Sequence, residues 1–288
     1  MTEQRAVLIT GASSGFGLLT SVALATRGWR VLATMRDLNR RERLETAAKE
    51  AGVLDRIEIH ALDVTNSDQI AALAQTIEKR SEPLHALINN AGFAVAGFAE
   101  HVSDAELRRQ FDTNFFGAAA VTRALIPLFK RQRFGHIVML SSISGRIGSP
   151  GVGSYAASKF ALEGWSEALR FELKSLGIHV VLIEPGSFET DIWTRNATIS
   201  AGTLALGADP NSAEAARLDR WRRKIEQPGK KRANPKYVAE FIAGILANPQ
   251  PRLRYSFGTD AWVGLALRKI LPWSVFERII IKAGGVGE

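Results

Sequence analysis

A chain of 288 residues with 46% apolar and 23% charged side chains is composed like an ordinary globular protein, which excludes a disordered, collagenous or coiled-coil chain. With no cysteine, it also excludes disulfides, zinc–thiolate sites, iron–sulfur clusters and a cysteine nucleophile. Its 37 Lys and Arg against 29 Asp and Glu give +8, a balance that suits an anionic cofactor, nucleic acid or an acidic membrane surface without choosing among them.

The first element sits inside the longest stretch free of charged side chains, Ala6–Thr26, which is 21 residues long. Length alone would suit a membrane span or an export signal. Its middle, Gly11-Ala12-Ser13-Ser14-Gly15, breaks any helix. The stretch therefore reads as a buried strand Ala6–Thr10, a glycine turn, and a helix Phe16–Arg27. With no export signal and no cysteine, the expected compartment is the cytoplasm.

Further strands are expected at Arg30–Met35, Ile57–Ala61, Ala86–Asn89, His136–Ser141, His179–Glu184 and Leu253–Phe257. Helical stretches fall between them at Arg40–Glu50, Ser67–Lys79, Asp104–Lys130, Ser154–Leu176 and Pro235–Ala247. The strands are continuous Val/Ile/Leu runs, as expected when both faces are covered. This alternation predicts one α/β domain: a doubly wound, Rossmann-type parallel sheet of seven strands with helices on both faces and its site at the carboxyl ends of the strands. No linker and no internal repeat divides residues 1–288. The irregular segment Thr190–Ala233 reads as a lid over a substrate site, its plain alternative being a solvated surface excursion.

The turn Thr10-Gly11-Ala12-Ser13-Ser14-Gly15-Phe16-Gly17 lets backbone approach a pyrophosphate at a helix N-terminus. The end of the second strand, Met35-Arg36-Asp37, bears on the cofactor. Asp37 lies at about the distance of the acid that holds a ribose hydroxyl in NAD enzymes, whereas Arg36 suits a 2′-phosphate. Ser14 can donate a further hydrogen bond there. Arg40, Arg41 and Arg43 add positive field, each readable as part of a solvated helix face. Asp63-Val64 after the third strand offers a carboxylate to an adenine amino group, or a simple turn aspartate. Asn89-Asn90-Ala91-Gly92 after the fourth offers small residues beside a ribose, and Asn side chains that tie turns together.

Tyr155 and Lys159 are spaced i, i+4 and share a helix face. An ammonium beside a phenol favours the phenolate, which makes the pair a plausible proton donor and acceptor for an alcohol–carbonyl couple. Ser142, 13 residues earlier at a strand end beside Ser141, can bond the reacting oxygen. Asn114 lies mid-helix, where an Asn is usually a surface residue.

Taken in order, Thr10-Gly11-x-x-x-Gly15-x-Gly17, Asp63, Asn89-Asn90-Ala91-Gly92, Ser142 with Tyr155-x-x-x-Lys159, and Pro185-Gly186 with Thr190 resemble the short-chain dehydrogenase/reductase family, in its compact single-domain branch, over roughly residues 5–190. The resemblance implies Tyr155 as acid/base, Lys159 lowering its pKa and holding the nicotinamide ribose, Ser142 positioning the substrate oxygen, and Asn114 holding a relay water. It implies cofactor contacts from Gly11, Ser13, Ser14, Gly15, Phe16, Gly17, Arg36, Asp63, Val64, Asn90, Ala91, Gly92, Pro185, Gly186, Phe188 and Thr190 as well. The family's aspartate for NAD falls on Met35, and Arg36 follows it, so NADP(H) is the expected cofactor. Ala33–Leu38, Tyr155–Gly164 and Pro251–Ala261 are similar to estradiol 17-beta-dehydrogenases and retinol dehydrogenases, which implies a bulky apolar ketone, aldehyde or alcohol substrate, steroid-like, retinoid-like or aryl. A homodimer or homotetramer is the assembly the family implies. The alternatives are an NAD-linked oxidative alcohol dehydrogenase and a non-catalytic nucleotide-binding regulator, the latter having no need of Ser142, Tyr155 and Lys159.

Arg217–Arg232 holds eight Lys and Arg and two acids, most of the chain's net charge. It reads as a solvated lid face before a surface for an anionic substrate or lipid. No nucleic-acid motif accompanies it. The C-terminal segment 259–283 is apolar but interrupted by Arg268, Lys269, Arg278 and Lys282, and packing against protein, within the chain or in an oligomer, is its first expected fate. His60, His85, His101, His136 and His179 show no ligand spacing, so no metal site is read.

Overall fold

The computed structural model describes residues 4–193, 195–226 and 233–286. Strands β1 (Ala6–Ile9), β2 (Arg30–Met35), β3 (Ile57–Ala61) and β4 (Leu84–Asn89) alternate with helices α1 (Gly15–Thr26), α2 (Glu42–Glu50) and α3 (Ser67–Glu78). A short strand β5 (Ala94–Ala96) precedes α4 (Asp104–Phe111) and α5 (Ala118–Gln132). Then come β6 (Gly135–Leu140), α6 (Gly153–Leu173), β7 (Ile178–Pro185) and β8 (Ala197–Ile199). Helices α7 (Ala201–Ala205), α8 (Ala213–Glu226) and α9 (Lys236–Ile245), strand β9 (Arg254–Phe257), and α10 (Thr259–Ile270) with α11 (Trp273–Gly284) complete the chain.

The main sheet has seven parallel strands in the order β3-β2-β1-β4-β6-β7-β9. Its pleat sorts β1 by alternation. Val7 and Ile9 enter a core with Leu18, Leu24, Leu44, Val238 and Ile242, contributed by α1, α2 and α9. Ala6 and Leu8 enter a second core with Leu73, Leu125, Phe129, Leu162 and Leu169, contributed by α3, α5 and α6. Both faces are therefore covered, which is why the strands carry no polar alternation. The chain is one Rossmann-like domain. Strand order reverses at β1, so a crevice opens between the loops that follow β1 and β4.

Three regions depart from the sequence-based reading. The expected continuous helix Asp104–Lys130 is interrupted by a π-helical turn at Asp112–Gly117. A π turn keeps the chain helical and differs only in the bonding of a single turn, which no residue of Asp112–Gly117 announces. Gly117 rides on Val64 there, and a Cβ on it would fall 2.7 Å from Val64 Cγ2. Strands β5 and β8 form a separate parallel pair, too short for any run of apolar residues to announce. The segment expected to be irregular, Thr190–Ala233, contains β8, α7 and α8. Trp221 and Leu218 of α8 pack with Phe98 in a small core of their own, because a long amphipathic helix buries its apolar stripe despite the charge on its other face. Arg217 stacks over Phe98 and pairs with Glu100; residues 227–232 of the basic patch lie outside the described residues.

The C-terminal segment folds as α10 and α11, but much of its apolar surface faces outward. Ala261 and Phe276 are buried, whereas Trp262, Ile270 and Trp273 are 58–75% exposed. Among the described residues no helix is long and apolar enough to cross a membrane, and no group of His, Asp and Glu is placed to hold a metal.

Phe129 is fully buried near the end of α5, its ring against Gly135, where a Cβ would lie 2.3 Å from Phe129 Cδ1. Phe129→Ala is expected to cost about 3–5 kcal/mol, read as a lowered denaturant midpoint with an unchanged slope.

Candidate active site

A cleft of about 450 Å³ opens along the carboxyl ends of β1, β2, β4, β6 and β7. Its floor is the glycine turn. Gly11 has φ +70°, and a Cβ there would lie 2.7 Å from Ala91 Cα, so both the conformation and the approach exclude a side chain. Thr10 Oγ1 accepts from the backbone N–H groups of Asn90 and Ala91, each at 3.0 Å. In return, Asn90 Nδ2 donates to Thr10 O at 2.9 Å and Gly11 O at 2.8 Å. The two loops bordering the crevice are thereby tied into one body.

Of the residues expected at a cofactor, Gly11, Ser13, Ser14, Gly15, Phe16, Arg36, Asp63, Val64, Asn90, Ala91, Gly92, Pro185, Gly186, Phe188 and Thr190 all line this cleft. Gly17 does not. It packs beneath the turn, where a Cβ would lie 2.4 Å from Asn90 Nδ2, and so makes room for the Asn90 amide. At the end of β2, Met35 is buried and Arg36 is exposed on the cleft wall. Asp37 lines the cleft too, but its Oδ1 accepts from Asn39 N at 3.0 Å and caps a short 3₁₀ turn. Arg40 joins Arg36 on the wall. Arg41 and Arg43 instead reach Glu45 and Asp191. Asp63 accepts from Thr65 N and Oγ1 at 2.9 and 2.7 Å, a turn aspartate that also faces the cleft.

Leu140, Ser141, Ser142, Tyr155 and Lys159 line the same cleft. Tyr155 and Lys159 project together from α6 and are nearly buried. Lys159 Nζ donates to Leu140 O at 2.6 Å and lies 5.7 Å from the centre of the Tyr155 ring. The Tyr155 hydroxyl bonds to Ser142, and Ser142 Oγ in turn accepts from Ser144 N at 3.1 Å. Burial pushes the phenol up to about 12, with Ser142 pulling the other way. The net direction is opposite to the lowering expected from Lys159, because removing the phenolate from water is the largest effect on this group. Burial likewise pushes Lys159 down to about 8, with the Glu163 charge opposing it.

Asn114 sits on the π turn and is buried, contrary to the usual fate of a mid-helix Asn. Its Oδ1 accepts from Phe93 N at 3.1 Å, and its Nδ2 donates to Phe93 O and Ser158 Oγ at 3.0 and 3.2 Å. Asn114 thus joins the loop after β4 to α6. Sequence reasoning missed several residues that share the cleft: Phe93, Arg109, Thr113, Ile192, Asn196 and Thr198. Phe93 and Thr113 adjoin motifs already singled out. Asn196, which donates to Ser14 Oγ at 3.3 Å, and Thr198 arrive only through the β5–β8 pairing, which has no local signature. At the far wall, Asp260 of α10 accepts from Ser187 N at 2.7 Å and fills the space beside Gly186, where a Cβ would lie 2.3 Å from its Oδ1.

The short-chain dehydrogenase model matches residues 5–199, and the chain belongs to that family. It is similar to the uncharacterized oxidoreductase YusZ of Bacillus subtilis, at 38% identity over 97% of this chain and 98% of the relative. It is similar as well to human retinol dehydrogenase 8, at 37% identity over 87% of this chain and 80% of that protein. A short-chain dehydrogenase from Streptomyces avermitilis shares the fold with a TM-score of 0.78 and 30% identity, covering 96% of this chain and 98% of that one. Two further structures at 25% identity, with TM-scores of 0.73 and 0.76, were solved with NADPH and with NAD respectively. The protein is an oxidoreductase of this family.

Asn90→Ala removes both donors to the β1 turn and leaves the Thr10 and Gly11 carbonyls short of a partner. A loss of about 1–3 kcal/mol is expected, measurable by denaturant unfolding. Gly17→Ala should cost at least as much, since it displaces the same amide.

Proposed function

We propose that the protein is an NADPH-dependent reductase of bulky apolar ketones and aldehydes, reversible as an alcohol dehydrogenase. The observation that carries this reading is the Ser142–Tyr155–Lys159 cluster on one wall of the cleft whose floor is the glycine turn. Gly11, Ser13, Ser14, Gly15 and Phe16 line the cleft at the start of α1, where no side chain caps the helix, so the residues present fit a dinucleotide's pyrophosphate. Ser13, Ser14, Gly15 and Phe16 would hold its phosphates, Asp63 and Val64 its adenine, and Asn90, Ala91 and Gly92 a ribose. Lys159 would hold the nicotinamide ribose. Pro185, Gly186, Phe188 and Thr190 would face the nicotinamide end. Preference for NADPH rests on Arg36 and Arg40 along the wall, with Asp37 occupied as a cap. When bound, the dinucleotide supplies the hydride for reduction.

The protein's own residues handle the oxygen and the proton. Ser142 Oγ bonds the carbonyl oxygen and orients it toward Tyr155. A phenol pushed up to about 12 is fully protonated at neutral pH, which suits a proton donor. As the C–H bond forms, the Tyr155 O–H bond breaks and the proton passes to the substrate oxygen, which leaves as an alcohol. The Lys159 ammonium stabilises the phenolate left behind. The second lone pair of Asn114 Oδ1 is the acceptor through which it would hold a water that carries the replacement proton. Phe93 and Ile192 give the cleft apolar lining, and the described part of the segment 190–233 would serve as its lid. The tie to Asn196 and the β5–β8 pairing support that reading.

Consumption of NADPH and NADH against carbonyls from small ketones to steroid and retinoid members tests the reading. Turnover is expected with NADPH on the bulky apolar members. Tyr155→Phe should lower kcat by about 10³-fold or more while NADPH affinity holds; unchanged turnover would refute the mechanism. Arg36→Leu should weaken NADPH by about 10-fold or more with little effect on NADH. Equal losses would refute the cofactor assignment.

A further inference from the structure

Beneath the Tyr155–Lys159 pair lies a set of buried charges to which the reaction above gives no part. Glu163 follows Lys159 by one turn of α6 and is 4% exposed. Its Oε2 accepts from Arg254 Nε at 2.9 Å, so β9, the last strand of the sheet, reaches under the helix that carries the candidate proton-transfer pair. Arg254 also bonds Glu167, one further turn along α6, and lies 3.4 Å from Glu184 of β7. Glu184 is fully buried and takes Arg146 at 3.0 Å and Ser256 of β9 at 2.7 Å. Ser141, just after β6, sets its hydroxyl beside Glu163, close enough to weigh on its charge but outside hydrogen-bond geometry.

Such a cluster is costly to bury, and packing alone does not call for it. An apolar side chain at position 163 would fill the same space, and replacing buried ion pairs by apolar groups is often neutral or stabilising. What an apolar side chain cannot supply is negative charge next to Lys159. Burial pushes Lys159 down to about 8, and the Glu163 charge is what acts against it. Glu163 is itself pushed up by burial, to about 6, with Glu184 adding to the rise while Ser141 and Arg254 hold it down. At neutral pH it is therefore an anion, and Arg254 is part of what keeps it one.

We propose that Glu163, fastened by Arg254 of the last strand, is a positioning residue that supplies the buried negative charge against which the Lys159 ammonium is held. The inference rests on the reading of Tyr155 and Lys159 as the proton-transfer pair. It gives β9 a part in the chemistry although the strand contributes nothing to the lining of the cleft.

The sign of the effect follows. Losing the proton on Lys159 removes the charge that stabilises the phenolate, so reductive kcat/KM falls as pH rises past about 8. Glu163→Gln keeps the shape and an acceptor for Arg254 but removes the charge, so this alkaline limb moves to lower pH, by about one unit. Glu163→Asp draws the carboxylate back and gives a smaller shift in the same direction, which serves if the Gln variant folds poorly. Arg254→Gln lets Glu163 take up a proton and also moves the limb down. In the Glu163→Gln background it adds no further shift, because the charge it protects is gone.

The pH profile of NADPH-dependent reduction reads the limb. A ¹³Cε-lysine NMR titration of Lys159, assigned by Lys159→Arg, reads the same proton without substrate, and thermal unfolding checks the fold of each variant. A Lys159 titration that shifts down in Glu163→Gln and Glu163→Asp, in folded protein, supports the proposal. A titration that stays in place in both overturns it, whatever their effect on stability. If no carbonyl is turned over, the functional reading fails, yet the NMR titration still decides whether Glu163 holds the charge on Lys159.

Discussion

Everything at the cleft depends on how near two backbones come at one crossing. The loop after β4 passes so close to the loop after β1 that position 11 admits only glycine, and Thr10 and Asn90 close the gap with reciprocal hydrogen bonds. The crossing sits where the strand order reverses, so the crevice cannot be elsewhere. It leaves main-chain N–H groups at the head of α1 facing open space, the natural partner of a phosphate. From there the loop after β4 runs to Phe93, where Asn114 holds it against α6 through Ser158. The cofactor floor and the helix bearing Tyr155 are thus parts of one rigid path.

That path explains which features were legible in the sequence. The seven main strands and the doubly wound layering follow from apolar runs and glycine turns, since both faces of the sheet are covered and the signal is local. Ser142, Tyr155 and Lys159 fall on one wall because a strand end and one helix face are enough to bring them together. Asn114 was legible only through family resemblance. What buries it is a π turn seated on Val64 through Gly117, a long-range contact that leaves no trace in helical periodicity. The β5–β8 pair escaped for the same reason: three residues on either side hold together only because the surrounding fold delivers them.

Charge behaves in the same divided way. Most of the +8 traces to the patch Arg217–Arg232, and α8 carries part of it outward, with Arg217 stacked on Phe98. The charges that bear on the proposed chemistry are elsewhere and balance in sum: Lys159, Arg146 and Arg254 against Glu163, Glu167 and Glu184, gathered on and beneath α6 from parts of the chain far apart. Composition cannot separate solvated from buried ions, and the fold alone decides which arginine meets which carboxylate. The Tyr155 phenol, raised rather than lowered by its surroundings, belongs to the same lesson, since burial outweighed the hydrogen bond from Ser142.

The side chain of Asp260 has a consequence for how such a protein can be recombined. It opens α10, yet it occupies the hollow beside Gly186 and bonds Ser187 N, in the loop that follows β7. The C-terminal helices are therefore stitched to the cofactor half of the molecule at the loop itself. A chimera that takes its helices after β9 from another protein inherits a working loop only if it brings an equivalent carboxylate, so the natural seam for exchanging this part of the chain lies beyond Asp260 rather than before it.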